Sequence, residues 1–209
     1  MGRNWGASTA SQGSPDIRDC ISLVRFVDST SSTAPAMAVR KILLLGNPAL
    51  RVRCKPVKSC DSDESRGTIR DLADTLADFR SRRGFGRGIA APQIGSLSRV
   101  IYLDFEHHGP LINPNIVRRS KETFRLWDDC FSFPDILVKL ARHTAVTVSY
   151  QDAAGEKRTL DARGALSELL QHEIDHIDGI LAIDRAVDSR HIILRSEYEQ
   201  LTRKSGTAL

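Results

Sequence analysis

The spacing of hydrophobic and polar positions predicts three helices. Apolar residues recur three and four positions apart in SRGTIRDLADTLADFRSRRG, residues 65–84, and Gly84 is placed to end that helix. The same spacing returns from Gly164 to Ile177, followed by Gly179 as a candidate cap. A third helical pattern covers about residues 189–203. The pattern therefore predicts one helix early in the chain, one in its later part and one near its end.

Strand patterns occupy most of the remaining chain. The segments AVRKILLLG, RVIYLDF, KETFRLW and DILVKLA predict strands, and LINPNIV predicts a short strand that Pro114 interrupts. TAVTVSYQD alternates apolar and polar residues, turns at AAG and continues as EKRTLDA, which predicts a hairpin. The Gly-rich block GFGRGIAAPQIG predicts irregular backbone. Several strands and a few helices, in no regular alternation, predict an α+β fold.

Composition narrows the class of protein. With 41% hydrophobic and 27% charged positions in 209 residues, the chain is typical of a globular protein. No apolar run approaches the roughly 20 residues that span a bilayer, so no membrane partner is expected. The net charge of +4 is scattered, which disfavours specific nucleic-acid binding. Four cysteines without a C-x-x-C pair fit a reduced setting better than a disulfide framework.

Residues 1–36 differ in character from the rest of the chain. They include the Ser/Thr-rich stretch DSTSSTAPA, lack sustained periodicity and carry balanced acidic and basic residues. A transit peptide would be rich in arginine and poor in acids, so a cytoplasmic location is expected, with an organelle as the alternative. We therefore predict a disordered N-terminal extension over residues 1–36 and a single domain over residues 37–209.

The strongest candidate for chemistry is LLQHEIDHIDG, residues 169–179. On a helix, His172 and His176 lie one turn apart and point the same way, so both imidazoles can bind one cation. Glu173 lies beside them, where its carboxylate can take a proton from water. Catalytic sites of this kind usually have three protein ligands and one position left open for water. The pattern therefore predicts a metal site that needs a third ligand from elsewhere.

The spacing of the motif leaves the third ligand open. One protease clan supplies a histidine downstream, but position 182 is alanine. Glu197 and Glu199 are available by type, although their helix is charged like one exposed to solvent. Cys130, upstream in WDDCFSFP, would complete a set of one thiolate and two imidazoles suited to a divalent transition metal. A lone cysteine is otherwise most often a small buried hydrophobe, so a metalloprotease stays an alternative.

Three blocks, in order, resemble the peptide deformylase family. GRGIAAPQ at residues 86–93 matches the family's G-x-G-x-A-A-x-Q, and HEIDH matches its H-E-x-D-H. DDCFS at residues 128–132 matches E-G-C-x-S in part, because Asp128 and Asp129 replace Glu and Gly. The resemblance covers about residues 40–185. It implies antiparallel sheets packed around a central metal-binding helix, with an N-terminal and a C-terminal helix, in one deformylase-like catalytic domain.

The resemblance also implies a role for each matched residue. The implied ligands of one divalent ion, Fe²⁺ or alternatively Zn²⁺, are Cys130, His172 and His176. The implied catalytic groups are the Glu173 carboxylate for proton transfer, with the Gln93 amide and the Phe131 backbone N–H as donors to the oxyanion. The implied substrate contacts are Gly88, Ala165 and Leu169. For the last two, core packing is an equal alternative.

The implied reaction is hydrolysis of N-formyl-methionyl peptides to formate and a free amino terminus. The expected substrates are newly made N-formylated polypeptides, with transient contact to the ribosome, and the protein is expected to be a monomer. A metalloprotease and a catalytically impaired relative remain the alternatives. Asp128, Asp129 and Arg87, which replaces an aliphatic residue found in many members, leave all the implied ligands in place. An active enzyme is therefore expected, and its rate and substrate preference are left open.

Overall fold

The structure, a computed structural model, describes residues 38–205. That range contains three α-helices and eight β-strands, and the strands form two antiparallel sheets, which confirms the predicted α+β fold. The extension predicted to be disordered, residues 1–36, lies outside the described residues. No helix in the described range is long and apolar enough to cross a membrane.

The elements follow one another with few interruptions. The helices are α1 (Asp63–Arg83), α2 (Gly164–Ile177) and α3 (Arg195–Ser205). The strands are β1 (Gly88–Ala90), β2 (Val100–Asp104), β3 (His108–Arg119), β4 (Thr123–Asp129), β5 (Ile136–His143), β6 (Ala145–Gln151), β7 (Lys157–Arg163) and β8 (Ile192–Leu194). The larger sheet has the order β1-β2-β3-β6-β7, and the smaller sheet has the order β4-β5-β8.

Helix α1 has a capping residue at each end, Ser62 at its start and Gly84 at its end. The Ser62 side chain accepts a hydrogen bond from the Ser65 backbone N–H, which caps the first turn. Gly84 ends the helix in the left-handed region at φ 76°, as its position predicted. The buried face of the helix packs against a cluster that also contains Phe131; its largest members on α1 are Leu72, Leu76 and Phe79.

Helix α2 is the centre of the domain and has the bounds that its periodicity predicted. All of its residues from 166 to 177 are buried, so the helix is enclosed on every side. Its apolar side chains pack into the core of the larger sheet, and the helix also contacts β5 of the smaller sheet. The two histidines of the motif are therefore held in the interior of the domain.

One predicted strand near the start of the domain was wrong, and the predicted C-terminal helix is present but begins later than expected. Residues 38–44 form no strand; Leu43 N–H donates to Gln93 O, and Leu45 N–H donates to Ser132 O, each at 2.8 Å. This segment therefore pairs with two loops rather than with a strand. The C-terminal helix begins at Arg195 and not at about residue 189, because residues 192–194 form β8 and pair with β5.

Two predictions about proline and glycine were also wrong in part. Pro114 does not interrupt β3, which continues from His108 to Arg119 with a shift of register between Ile112 and Asn115. Such a bulge accommodates the missing N–H of proline. The Gly-rich block is not irregular throughout, because Gly88–Ala90 form β1 and pair with β2. The edge strand beside α2 therefore comes from a segment that composition alone assigned to a loop.

Candidate active site

Three potential metal ligands converge in the interior. Cys130 follows β4 directly, while His172 and His176 lie on α2. The Cys130 Sγ is 3.2 Å from His176 Nε2, which is 3.2 Å from His172 Nε2. All the candidate ligand atoms lie within 4.8 Å of one another, and all three residues are buried. The fold therefore brings together the three residues that the sequence blocks assigned to one site.

The chemistry of this cluster fits one divalent transition-metal ion. A sulfur atom and two imidazole nitrogens form a ligand set that zinc and iron accept. Burial is the main cause that holds the pKa of His176 well below its usual range, and the neighbouring His172 is the second. The ring is therefore neutral, as a metal-binding imidazole must be. Glu197 and Glu199, the acids available to a protease-type site, are exposed on α3. The third member of the cluster is therefore the upstream cysteine.

Asp128 orients one of the two histidines. Its Oδ1 lies 2.9 Å from His172 Nδ1, and its Oδ2 accepts from Arg142 at 3.1 Å. Burial opposes ionisation, but His172 and Arg142 together lower the pKa of Asp128 to about 2. A carboxylate bonded to Nδ1 leaves the Nε2 lone pair free to bind a metal. Aspartate therefore makes this contact in spite of being shorter than the glutamate of the family motif.

Asp175 of the H-E-x-D-H block faces away from the cluster and fixes Arg142 from the other side. The Asp175 carboxylate bonds Arg142, and it also accepts from Arg185 Nη2 at 2.6 Å. Arg142 is thus held between two carboxylates in the interior. Asp175 is therefore linked to His172 only indirectly, through Arg142 and Asp128.

Glu173 lies at the edge of the cluster with one oxygen free. Its Oε2 is buried and accepts no hydrogen bond from any residue that the structure describes. Burial raises the pKa of Glu173 to about 7. A Cβ placed on Gly88 would come within 3.0 Å of Glu173 Oε1 and 2.9 Å of Leu103 Cδ2. Any side chain at position 88 would therefore press on Glu173 and Leu103, a contact that the sequence did not indicate and that glycine avoids.

Gln93 is aimed at the cluster by its own hydrogen bonds. Its Oε1 accepts from the Ala90 backbone N–H at 2.9 Å, which leaves the amide nitrogen to face Ser132 Oγ at 3.3 Å and Cys130 Sγ at 3.7 Å. Phe131 follows the cysteine, and its ring stacks on Phe79 with centroids 3.9 Å apart. Both residues therefore lie beside the cluster of candidate ligands, and the backbone around Phe131 is anchored by its buried ring.

A cavity of about 430 Å³ opens beside the cluster. Its lining includes Cys130, His172, Glu173, Gln93 and Gly88. Apolar lining comes from Phe85, Phe131 and Leu169. Ala165, the other predicted pocket residue, is exposed at the start of α2 and is not part of the lining. The structure therefore places Leu169 in the cavity and Ala165 outside it.

Sequence reasoning missed two groups that shape the site. Glu168 is buried in the cavity wall and pairs with Arg87 at 2.7 Å. Its position four residues before His172 on the same helix face could have indicated this. Arg142 had no comparable signal, because it reaches the site from β5 of the smaller sheet. Asp129, one of the departures noted above, is paired with Arg195 of α3 at 2.8 Å.

Comparison with known proteins agrees with this geometry. Residues 39–191 match the family model described as polypeptide deformylase. A peptide deformylase 2 of Clostridium perfringens is 38% identical over 75% of this chain and 99% of its own length. A peptide deformylase of Rhizobium meliloti is 38% identical over 71% of this chain and 85% of its own length.

The fold is similar to that of solved deformylases. The crystal structure of the Thermotoga maritima enzyme has a TM-score of 0.66 at 33% identity, covering 72% of this chain and 99% of that one. A Synechococcus elongatus enzyme in complex with actinonin has a TM-score of 0.67 at 33% identity, covering 83% and 90%. The chain thus belongs to the peptide deformylase family, metal-dependent hydrolases that remove the formyl group from the N-terminal methionine of newly made proteins.

Proposed function

We propose that deformylation takes place at the cluster of Cys130, His172 and His176. Each residue predicted from the sequence has the role described in the following paragraphs. The observation that carries this proposal is the convergence of the Cys130 sulfur and the two Nε2 atoms of His172 and His176 beside the unpartnered oxygen of Glu173. Cys130, His172 and Glu173 line one cavity, and His176 Nε2 lies 3.2 Å from the Cys130 sulfur, so a substrate carbonyl in the cavity can reach the cluster.

The proposed ligands of the metal are Cys130, His172 and His176, and the proposed ion is Fe²⁺, with Zn²⁺ as the alternative. A divalent ion held by these residues would act as a Lewis acid towards the formyl carbonyl and would lower the pKa of water near it. Asp128 supports binding by fixing the ring of His172. Both ions accept one thiolate and two imidazoles, which supports either assignment.

Glu173 is the proposed proton-transfer residue. It takes a proton from the attacking water and delivers it to the nitrogen of the leaving amine. The free Oε2 supports this role, because no other described side chain competes for that oxygen. Gly88 contributes by leaving the space that the Glu173 side chain occupies.

Gln93 and Phe131 are the proposed oxyanion donors. Attack on the formyl carbon places negative charge on its oxygen, and fixed N–H groups stabilise that charge in a site shielded from water. The Gln93 amide is only 2% exposed and is oriented by the Ala90 N–H. The Phe131 backbone N–H lies next to the ligand Cys130, so both donors belong to the same side of the cluster as the sulfur.

The proposed substrate is the amino terminus of a newly made chain, met in the cytoplasm as the chain leaves the ribosome. Contact with the ribosome is proposed to be transient and the protein to act as a monomer. Leu169, in the cavity wall, is a proposed contact for the first side chain of the substrate. Ala165 lies outside that wall, so it can contact only the more distant parts of a substrate.

Formate release from formyl-Met-Ala-Ser tests the proposal directly. Protein is loaded with Fe²⁺ without oxygen, its metal content is measured, and acetyl-Met-Ala-Ser is the matched control substrate. We expect formate from the first peptide and no hydrolysis of the second, because the larger acyl group is not the family's substrate. Metal-loaded protein that releases no formate would contradict the proposal, and cleavage of internal peptide bonds would favour the protease alternative.

A further inference from the structure

An ion pair lines the cavity beside the metal-binding cluster and has no part in the chemistry described above. Arg87 Nη2 lies 2.7 Å from Glu168 Oε2, where the Arg87 side chain is 36% exposed and the Glu168 side chain only 5%. The arginine also lies over the ring of Phe105, 5.5 Å from its centroid. The pair is therefore a fixed feature of the wall, with the carboxylate inside and the guanidinium towards the opening.

The pair is close to the point of reaction. A carboxylate oxygen of Glu168 lies within 4.8 Å of a His172 ring nitrogen. In a formyl peptide the first side chain leaves the backbone at Cα, two bonds from the formyl carbon. No other side chain of the substrate is attached so close to the reacting carbon, so the first side chain meets the cavity wall nearest to the cluster. The wall that this side chain meets contains Arg87 and Glu168 as well as Leu169.

We propose that Arg87 and Glu168 determine which first side chain is accepted. They extend the substrate class to N-formyl peptides whose first side chain has the length of methionine and a hydrogen-bonding end, with glutamine as the example. This inference rests on the proposed function. A glutamine amide can donate to the Glu168 carboxylate and accept from the Arg87 guanidinium at the same time. Methionine still fits, since the ion pair is satisfied internally and Leu169 supplies apolar contact.

The discriminating property is the ratio of two kcat/KM values. Formyl-Gln-Ala-Ser is compared with formyl-norleucyl-Ala-Ser, which has an unbranched side chain of similar length without a polar end. Wild-type protein is expected to hydrolyse the glutamine peptide within about tenfold of the norleucine peptide, because hydrogen bonds to charged groups offset the loss of apolar contact. The double variant Arg87→Met/Glu168→Leu is expected to lower that ratio by about 10- to 100-fold, since both partners are lost.

The matched control is an exposed pair with the same two residue types. Arg203 lies 3.5 Å from Glu199 on α3, away from the cavity lining. The variant Arg203→Met/Glu199→Leu is expected to leave the ratio unchanged. Glu168→Gln is a second test that keeps the shape of the wall, and it is expected to lower the ratio by a smaller factor. Circular dichroism and metal content identify any variant that has not folded.

The outcomes separate this inference from the proposed function. Hydrolysis of formyl-Met-Ala-Ser with a glutamine ratio below about one hundredth, unchanged in the cavity variants, overturns the inference and leaves the proposed function intact. Failure to hydrolyse any formyl peptide overturns both. A ratio that falls in both cavity variants and not in the α3 control supports the inference.

Discussion

The buried centre of the site and the rim of the cavity both contain ion pairs, but only the rim pair is open to water. The buried centre consists of Asp128, Arg142 and Asp175 around the proposed metal ligands; the side chains of Arg142 and Asp128 are each 3% exposed. The rim consists of the pair Asp129–Arg195, whose side chains are 35% and 29% exposed. Asp128 and Asp129 are neighbours in the sequence, yet one supports a ligand and the other faces the solvent side.

This difference shows that burial, and not the residue type, decides what a charge contributes. Removing one partner of a buried pair leaves a charge without compensation, whereas an exposed charge is compensated by water and salt. The second motif of the family is therefore changed at two adjacent positions with unequal consequences. Asp128 keeps the contact to His172, while Asp129 adds a charge that Arg195 and solvent neutralise.

Removal of a ligand from the buried centre has the largest expected effect. Cys130→Ala should lose the metal and reduce formate release below detection, because two imidazoles alone hold the ion weakly. Cys54→Ala is the matched control, since Cys54 is also 3% exposed but belongs to the core beneath α2. Elemental analysis and the formyl-Met-Ala-Ser assay measure both variants. Full activity of Cys130→Ala would mean that another residue is the third ligand.

Removal of the proposed proton-transfer group is expected to cause the next largest loss of activity. Glu173→Gln keeps the shape of the side chain, so the metal should be retained while kcat falls by about 100- to 10,000-fold. Metal content and kcat are measured on the same preparation. If the variant loses its metal instead, Glu173 supports metal binding rather than proton transfer.

Arginine substitutions compare the stability of the two regions. Arg142→Met leaves the Asp128 carboxylate without its cation and should lower the free energy of unfolding by about 3–5 kcal/mol. Arg195→Met removes the rim pair and should lower it by about 1 kcal/mol or less. Urea unfolding of both metal-free variants measures the difference. Equal losses would show that burial does not separate the two regions.

Neighbouring aspartates compare the influence of the two regions on metal binding. Asp128→Asn should weaken metal affinity by about 10- to 100-fold, because the charge that holds the His172 ring is lost. Asp129→Asn should leave the affinity nearly unchanged, since its partner is Arg195 and not a ligand. Competition with a chelator of known affinity measures both. A large effect of Asp129→Asn would place its charge in the ligand environment.

Added salt has the smallest expected effect on the free energy of unfolding, and that effect is expected only for the rim pair. In about 1 M salt, where the Debye length is about 3 Å, the contribution of the Asp129–Arg195 pair should fall towards zero. The cost of Arg142→Met should persist, because ions do not reach the buried pair. Unfolding measurements at low and high salt on the same two variants show whether the two costs respond differently.

Much of the fold and the site could be predicted from local patterns. The bounds of α2 follow from apolar residues at helical spacing, and the same spacing places His172, Glu173 and His176 near one another. The three short blocks, taken together, led to Cys130 although it lies 42 residues before His172. The Gly84 end of α1 likewise follows from one residue whose backbone preference is local.

Other features depend on partners that are distant in the sequence. Residues 192–194 are a strand because β5 offers them hydrogen bonds, and residues 38–44 are not, because they pair with loops. Arg142 reaches the buried centre, and Arg87 meets Glu168, only after two sheets have packed around α2. The sequence by itself determined the central helix and the ligand types on it, because periodicity and side-chain chemistry are local. Tertiary structure decided which charges are buried beside those ligands, because burial is a property of the packed chain.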